Sequence, residues 1–500
     1  MQDANTRLAP TAATPYRWRR SLTRDAALGR ILRPPSVATV ALLAGIGCRP
    51  SASPCPRCTV IDNVTVIDGT GRAPIPHAAV LVEADTIRAI GVRGQFRDLD
   101  QARQLDGSGR YLIPGMIEMH GHVAPDRLEG PPGAIDTAFA KGMLRAFLAM
   151  GITTVLSPGG ATDYSIALRD AMAAGRVAGP RLLVAGDIIE AAPSLFATRG
   201  FASAADVIAE VVRQARAGVD FIKLYRSLDA PLTKAGVEAA HANGIRAIAH
   251  TSATNWLDAA NAGVDLLVHA GPGISSLLTA AQRADYVRYG NTQPAAGGVL
   301  AKRFYGPFEA VDLDAARPAL DALIAALKAR NVVVDPTVVV YEALFWANDS
   351  SYRYHPDLRL VPESWIAAWR TAGLTASWTP PDFQAGRAVF PKMLRFIKAL
   401  YDGGVTLVAG TDTPNPFVIP GASYHRNLVL LAQAGIPPLE VLRIATLNGA
   451  KALRLDRGIG SIEPGKQADL VLLSADPAAD IANTRQIEWV MKAGVVAARE

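Results

Sequence analysis

The chain has 500 residues, of which 50% are hydrophobic and 19% charged, a composition typical of a globular protein with a large buried core. The net charge of +6 arises within residues 1–50, which carry eight arginines and two aspartates, whereas the other 450 residues carry 43 basic and 43 acidic side chains. The folded body is therefore not generally basic, and nucleic acid is not expected as a partner.

Residues 1–57 are interpreted as a leader and linker. An arginine-rich start precedes the apolar run SVATVALLAGIGC (36–48), which is too short to span a membrane as a helix but suits the hydrophobic region of a secretory signal. Cys48 ends this run after the small Gly47, which resembles a bacterial lipoprotein signal with a lipid anchor at Cys48. We therefore predict an exported protein, periplasmic or membrane-anchored as a lipoprotein; the alternative is a cytoplasmic protein with an N-terminal extension.

The three cysteines, Cys48, Cys55 and Cys58, all lie near the N-terminus. A cysteine nucleophile, a thiolate zinc site and a disulfide framework are therefore excluded within the main fold. The CPRC stretch is interpreted either as a local disulfide or as a feature without function.

The two flanks of the chain have a similar pattern. Residues 58–112 contain short apolar runs separated by turn signals, such as TVIDNVTVIDGTG and AAVLVEADTIRAIG, and comparable runs return in residues 454–500. We predict that these flanks meet in one small composite β-sandwich.

Residues 113–453 alternate apolar, β-rich runs with helical segments. Near-continuous hydrophobic strands are expected where both faces of a parallel sheet are covered. Eight such runs, joined by helices, predict an α/β fold with a (β/α)8 TIM barrel. The runs are 116–122, 151–158, 180–186, 219–225, 245–250, 264–269, 331–340 and 405–412. An aromatic-rich insertion at 345–395 is predicted either to form a lid or wall over the site or only to pack against the barrel.

Polar side chains gather at the predicted strand ends, which is where reactive residues sit in such a barrel. His120 and His122 end strand one and share one face, because successive side chains of a strand point to opposite faces. The other candidates are Lys223 near the end of strand four, His250 and His269 at the ends of strands five and six, and Asp412 at the end of strand eight. Imidazole and carboxylate groups suit zinc and related metals.

Each candidate also has a simpler interpretation. A buried Lys223 can pair with an acid, His250 or His269 alone can be a hydrogen-bonded core histidine, and Asp412 can cap the turn TDTP. Their joint placement favours a metal site. A lysine amine that takes up carbon dioxide becomes a carbamate, which would bridge two cations. Such a pair would bring the pKa of bound water to about neutral, and Asp412 would pass the proton of the water to the leaving nitrogen.

These residues resemble the amidohydrolase superfamily, in particular its imidazolonepropionase-like branch, which includes Xaa-Pro dipeptidases. The matching pieces cover most of residues 59–500 and are IPGMIEMHGHV, the lysine in VDFIKLY, IRAIAH, VDLLVH, VAGTD, and the tail ATLNGAKAL followed by GSIEPGKQADLVLL. The resemblance implies a barrel with a composite sandwich and a two-metal hydrolytic site in which zinc is the usual metal. His120, His122 and Asp412 would hold the more buried ion, and His250 and His269 the more exposed one.

The resemblance further implies that Lys223, carboxylated on its amine, and a hydroxide bridge the two ions, with Asp412 doubling as the proton shuttle. His425 and Tyr225 are candidate substrate contacts. At His425 the sequence departs from many relatives, because Asn427 stands where they carry an acidic residue, and this leaves the substrate open.

The leading hypothesis is a metal-dependent hydrolase that cleaves a C–N amide bond of a small substrate, such as a dipeptide or an N-acyl amino acid. One alternative is hydrolysis of a cyclic amide, imidazolone or lactone ring. Alternatives of another class are a non-catalytic, surface-anchored binding protein and an aromatic-lined receptor for small ligands. The expected partners are the amide or peptide substrate and further copies of the chain in a homo-oligomer.

Overall fold

A computed structural model of the chain describes residues 54–123, 137–194, 199–290, 298–371 and 373–497. The signal-like run and Cys48 lie outside these residues, so the predictions of export and of a lipid anchor stay predictions. Cys55 and Cys58 form a disulfide, the first of the two interpretations of the CPRC stretch. Among the described residues, no helix combines the length and the apolar character that a membrane span requires.

The described residues contain eighteen strands, numbered β1 to β18 in chain order. They are Cys58–Val66, Ile75–Glu83, Thr86–Val92, Arg103–Asp106 and Tyr111–Pro114 (β1–β5); Met116–Glu118, Ile152–Ser157 and Arg181–Val184 (β6–β8); Glu190–Ala191 and Gly200–Phe201 (β9, β10); Phe221–Leu224, Arg246–Ala249, Leu266–Val268, Val333–Asp335 and Thr406–Leu407 (β11–β15); and Leu470–Leu473, Ile487–Lys492 and Val495–Val496 (β16–β18).

Sixteen α-helices, α1 to α16, are described. They are Thr137–Ala149, Thr162–Ala173, Ala204–Ala217, Ala230–Ala242, Trp256–Asn261, Ala270–Ile274, Ala280–Gly290, Gly298–Ala310, Arg317–Ala329, Val338–Phe345, Ser350–Arg353, Glu363–Thr371, Pro380–Asp402, Ala422–Gln433, Pro438–Arg443 and Gly449–Ala452. Local sequence explains several of their ends. The side chain of Asp229 accepts a hydrogen bond from Leu232 N–H at the start of α4, and the helix ends before Asn243–Gly244, where Gly244 has a positive φ of 73°.

The two flanks of the chain meet in one eight-stranded sheet, in the order β18-β17-β16-β5-β1-β2-β3 with β4 paired to β1. The two flanks are joined by the antiparallel pairing of β16 with β5, in which Leu470 lies opposite Pro114. Alternate residues of these strands, such as Val80 and Val82, or Leu470 and Leu472, are buried in one apolar cluster, as the two-residue period of a strand requires. The predicted union of the flanks is thus observed, and its two-layered sandwich form stays a prediction.

The central strands run in parallel, and each lies within its predicted range. They form a three-stranded sheet, β6-β7-β8, and a five-stranded sheet, β11-β12-β13-β14-β15. A parallel bridge between Ala185 and Phe221 joins β8 to β11, and another between Gly121 and Thr413 joins the segments after β6 and β15. With helices between the strands, this is a TIM-barrel-type α/β fold.

The seventh strand is a correction to the predicted range 331–340. Strand β14 ends at Asp335, and the apolar residues from Val338 onward form α10 instead. Pro336 has no N–H for a sheet ladder, and Thr337 turns the chain with a positive φ of 43°. The strand therefore breaks where its carboxyl end faces the site.

The insertion at 345–395 is mainly helical and buries Trp365, Trp369 and Trp378. It packs against the barrel and adds Leu374 to the wall of the cavity described below. A second long excursion, helices α6 to α9 between β13 and β14, was not assigned from the sequence and also reaches this cavity.

Candidate metal and active site

The carboxyl ends of the central strands surround one cavity of about 100 Å³. We call it the metal-side cavity. All six residues predicted as metal ligands line it, and they are His120, His122, Lys223, His250, His269 and Asp412. Residues separated by almost 300 positions in the sequence are thus brought together because parallel strands direct their carboxyl ends to the same end of a barrel.

Asp412 is the centre of the tightest group. Its Oδ1 lies 3.2 Å from Nε2 of His120 and 3.2 Å from Nε2 of His122. The ligand atoms of these three residues all lie within 4.8 Å of one another. Two imidazoles and one carboxylate at this spacing fit a divalent ion such as zinc.

The second group of predicted ligands adjoins the first. The His269 ring centroid lies 4.9 Å from that of His120 and 4.3 Å from that of His250. Loss of hydration in the cavity holds the pKa of both His250 and His269 well below the usual histidine value. Both imidazoles are therefore neutral at neutral pH, which is the form that binds a metal.

The charge state of Asp412 follows from its neighbours. Burial acts to raise its pKa, but electrostatic interactions with His120 and His269 and hydrogen bonds from His120 and His122 outweigh burial and hold the pKa well below the usual range. Asp412 is therefore a carboxylate at neutral pH, able to bind a cation or to accept a proton.

Two of the candidate ligands have strained backbones. His269 has a φ of 70° and Asp412 a φ of 62°, conformations that cost a non-glycine residue about 1–3 kcal/mol. Hydrogen bonds between neighbouring segments maintain them: His269 N–H donates to Asp335 O and Asp412 N–H to His120 O, both at 2.8 Å. Strain of this kind, fixed by the surrounding fold, is typical of functional sites.

A layer of polar groups behind the candidate ligands was missed in the sequence. The fully buried Asp335 places Oδ2 3.3 Å from Nδ1 of His120, and Thr337 Oγ1 lies 2.7 Å from Nδ1 of His269. Such partners orient a ligating imidazole. Asp335 could have been found from the sequence, because it closes the apolar run NVVVD just as the other candidate residues close theirs.

We expect Asp335→Asn to weaken metal binding by roughly 10- to 100-fold, because the carboxylate behind His120 would no longer orient the ring. Competition with a chelator measures the dissociation constant, and the exposed Asp321→Asn on α9 is the control. An unchanged dissociation constant in Asp335→Asn would contradict this role.

Glu118 is a fully buried carboxyl beneath the same strand ends. Its Oε1 accepts hydrogen bonds from His120 N–H at 2.8 Å and Thr411 N–H at 2.9 Å, and its Oε2 accepts one from Thr411 Oγ1 at 2.7 Å. Burial raises the pKa of Glu118 to about 8 despite these hydrogen bonds. The Glu118 carboxyl therefore links the segment after β6 to the segment after β15. It is mainly protonated at neutral pH.

Glu118→Gln is expected to change how stability depends on pH. The unfolded carboxyl loses its proton near pH 4.5, whereas the folded one keeps it until about pH 8. Between these values the folded state binds more protons, so this group lowers the free energy of unfolding by about 1.4 kcal/mol for each pH unit that the pH rises. Urea unfolding at pH 5 and pH 7.5 should show this decline in the parent chain and its loss in Glu118→Gln. Equal declines in both proteins would refute the raised pKa.

The two candidate substrate contacts lie in different places. Tyr225 lines the metal-side cavity, with its ring 4.8 Å from that of His250. His425, on α14, lines a separate cavity of about 450 Å³. Its Nδ1 lies 2.9 Å from Thr484 Oγ1 and its Nε2 3.1 Å from Met150 O, and burial lowers its pKa to about 4. The structure therefore does not bring His425 to the predicted ligands.

The rest of the metal-side cavity wall was not assigned from the sequence. Arg226 follows β11, Tyr286 and Arg303 come from the excursion between β13 and β14, and Tyr341 lies on α10. Tyr341 is buried and its hydroxyl accepts a hydrogen bond from Gly271 N–H at 2.8 Å. No periodicity in the sequence indicates that these helices reach over the strand ends.

The fold and the strand-end cavity define a protein of the TIM-barrel type with a candidate metal site. A sequence model of the amidohydrolase family matches residues 111–287 and 384–497, and the chain belongs to this family. The resemblance found in the sequence is thereby confirmed.

Individual relatives match over short segments. Adenine deaminase 4 of Rhizobium meliloti (strain 1021) is 44% identical over 75 residues, which are 15% of this chain and 12% of that protein. Imidazolonepropionase of Shouchella clausii (strain KSM-K16) is 36% identical over 104 residues, which are 20% of this chain and 23% of that protein. The matches thus span less than a quarter of either relative.

The fold is shared over a much longer range. The solved structure of a Xaa-Pro dipeptidase with methionine bound in the active site has a TM-score of 0.64 and 19% identity, covering 88% of this chain and 100% of that one. At this level of identity, the similarity describes the shared fold.

Proposed function

We propose that this protein is a metal-dependent amidohydrolase that cleaves the C–N amide bond of a small substrate, such as a dipeptide or an N-acyl amino acid. One observation carries the proposal: the ligand atoms of His120, His122 and Asp412 lie within 4.8 Å of one another. This group opens into a cavity that His250 and His269 also line.

Two divalent ions, most simply zinc, fit this donor set. His120, His122 and Asp412 would hold one ion and His250 and His269 the other, with Lys223, carboxylated on its amine, between them. When bound, such ions lower the pKa of water to about neutral and polarise a carbonyl oxygen. Lys223 is only 1% exposed, and an uncharged carbamic acid or its metal-paired anion suits such a buried position better than a free ammonium.

Asp412 has the position and the charge to move the proton. Its carboxylate faces the cavity beside three histidines, and its low pKa keeps it ionised at neutral pH, the form that can take up a proton. Passing that proton to the amide nitrogen allows the amine to leave as a neutral product. Burial holds the pKa of His250 and His269 low, so these two imidazoles stay uncharged at neutral pH and do not compete for this proton.

The apolar part of the cavity would hold the substrate and limit the access of water. Phe304, Leu344 and Leu374 line this part, and apolar walls with a few directed polar groups are characteristic of small-molecule sites. The cavity thus provides both a polar end for the scissile bond and an apolar surface for the remainder of the molecule.

The experiment that tests this proposal is hydrolysis of a panel of dipeptides and N-acyl amino acids by protein reconstituted with zinc and bicarbonate. Mass spectrometry should detect two products for each amide that is cleaved. Absence of turnover across the panel by metal-loaded protein would contradict amide cleavage.

Hydrolysis of a cyclic amide, imidazolone or lactone ring is the second candidate, and the similarity to an imidazolonepropionase favours it. A ring substrate gives one product that is heavier by one water, which the same measurement distinguishes. A non-catalytic binding protein on this scaffold is disfavoured because all six predicted ligands line the cavity.

We also propose that the protein is exported, with a lipid anchor at Cys48, and that it forms a homo-oligomer. The disulfide between Cys55 and Cys58 supports the first part, because disulfides persist mainly in oxidising compartments. We also propose that the barrel is a closed (β/α)8 barrel, which the bridges between the two parallel sheets support. The two-layered sandwich form of the joined flanks is likewise proposed.

A further inference from the structure

The separate cavity of about 450 Å³ that His425 lines lies on the opposite face of α10 from the metal-side cavity. We call it the α14 cavity. Val339 and Glu342 of α10 line it, whereas Val340 and Leu344 of the same helix line the metal-side cavity. Residues three or four apart share one face of a helix, so α10 is the partition between the two. Small-molecule sites commonly have volumes of about 300–1,000 Å³, and the α14 cavity has that size.

The floor of the α14 cavity is apolar and its mouth is polar. Val339, Phe417 and Ile419 line it and are at most 4% exposed. Ala482 and Arg485 also line it but are exposed, which places them at the mouth. A concave, mostly apolar wall with a few polar groups is characteristic of a site for a small molecule.

The charged side chains of this wall differ in what they offer to a ligand. Both carboxylate oxygens of Glu342 accept hydrogen bonds from Arg426, and one of them also accepts a hydrogen bond from the Tyr352 hydroxyl. Arg485 donates from Nη2 to the buried Asp357. Among the described residues, Nε and Nη1 of Arg485 have no hydrogen-bond partner. The mouth therefore offers guanidinium donors, whereas the carboxylate of the wall is already occupied.

We propose that the α14 cavity is a second binding site, which takes a small carboxylate with an apolar body. The remaining donors of Arg485 would bind the carboxylate, because hydrogen bonds between ionised groups are roughly twice as strong as neutral ones. The apolar floor would remove the body of the ligand from water. The carboxylic acid that amide hydrolysis releases belongs to this class of ligand, although the site would bind its ligand whether or not that reaction occurs.

The test is calorimetric binding of 3-phenylpropanoate to the zinc-loaded protein, with 3-phenylpropan-1-ol as the neutral match. The two probes share the apolar body and differ in the charged group. The carboxylate should bind roughly 5- to 15-fold more tightly, a range that extends from a strong exposed ion pair to a hydrogen bond with a charged group. Equal affinities, or no binding of the carboxylate, would overturn the proposal.

Two variants of the mouth locate the bound molecule. Ala482→Trp should obstruct the mouth and abolish binding, and Arg485→Gln should lower the affinity for the carboxylate to about that for the alcohol. The matched controls on α9 are the exposed Ala325→Trp and Arg317→Gln, which should bind as the parent does. Ala482→Trp keeps the ion pair of Arg485 with Asp357, so it tests the site without disturbing that pair. Binding that persists in Ala482→Trp would contradict the site.

His250→Ala distinguishes the α14 cavity from the metal-side cavity, where a carboxylate would also meet the proposed ions. Binding that is kept in His250→Ala and lost in Ala482→Trp supports the second site. The reverse pattern places the probe in the metal-side cavity and overturns the proposal. Neither measurement requires turnover, so failure of the proposed hydrolysis leaves the outcome of this test unchanged.

Discussion

Asp412→Ala is expected to lower kcat/KM for amide hydrolysis by at least several hundredfold. Its carboxylate lies 3.2 Å from a ring nitrogen of His120 and of His122 and is held in the ionised form. A positioned general base of this kind contributes about 10²- to 10⁴-fold. Asp412→Asn, which keeps the shape of the side chain, should show a loss of the same order.

Metal content, measured on the same preparations, separates the two roles proposed for Asp412. A large loss of rate with metal retained in Asp412→Asn indicates proton transfer, whereas a loss of metal together with rate indicates ligation. The exposed Asp321→Asn serves as the control. Near-normal rates in both Asp412 variants would exclude this residue as the proton shuttle.

Lys223→Ala is expected to reduce the metal content from about two zinc ions per chain to one or fewer, and to abolish most of the activity. The side chain lines the same cavity as the four candidate histidines and Asp412, and a carbamate on its amine would supply an anionic ligand for both ions. Both proteins should be purified without chelator and with bicarbonate present. The control is Lys398→Ala, which removes a partly exposed lysine that forms an ion pair with Asp402 away from the cavity.

Other outcomes of this metal measurement point to other functions. One zinc ion per chain in both the parent and Lys223→Ala would indicate a mononuclear site and favour ring hydrolysis. No metal after reconstitution would mean that His120 and His122 hold no ion, and the binding-protein hypothesis would then lead.

Features with a local physical cause were predictable from the sequence. His120 and His122 were predicted to share one face because a strand alternates its side chains, and both line the cavity although β6 already ends at Glu118. His250, His269 and Asp412 were predicted at strand ends because each closes an apolar run. The central strands were predictable because strands covered on both faces need near-continuous apolar runs. The union of the two flanks followed from the similar runs on either side of the barrel and from the family resemblance, and the observed pairing of β5 with β16 agrees with it.

Features that depend on the path of the chain through space were decided only by the tertiary structure. His425 looked like a substrate contact, but the packing of α14 directs its ring to Thr484 and Met150 O. Asp335 is the last residue of β14, which ends beside the strand ends that hold the site. This position brings its carboxylate to His120.

The arginines show the same division. Arg226 is close to Lys223 in the sequence, but Arg303 reaches the same cavity from a helix almost eighty residues away. A periodic pattern reports which face of an element is buried, because burial of one face repeats along that element. It does not report which distant element supplies the covering surface. The sequence alone therefore determined the candidate ligands at the strand ends, and the tertiary structure decided the cavity wall that would select the substrate.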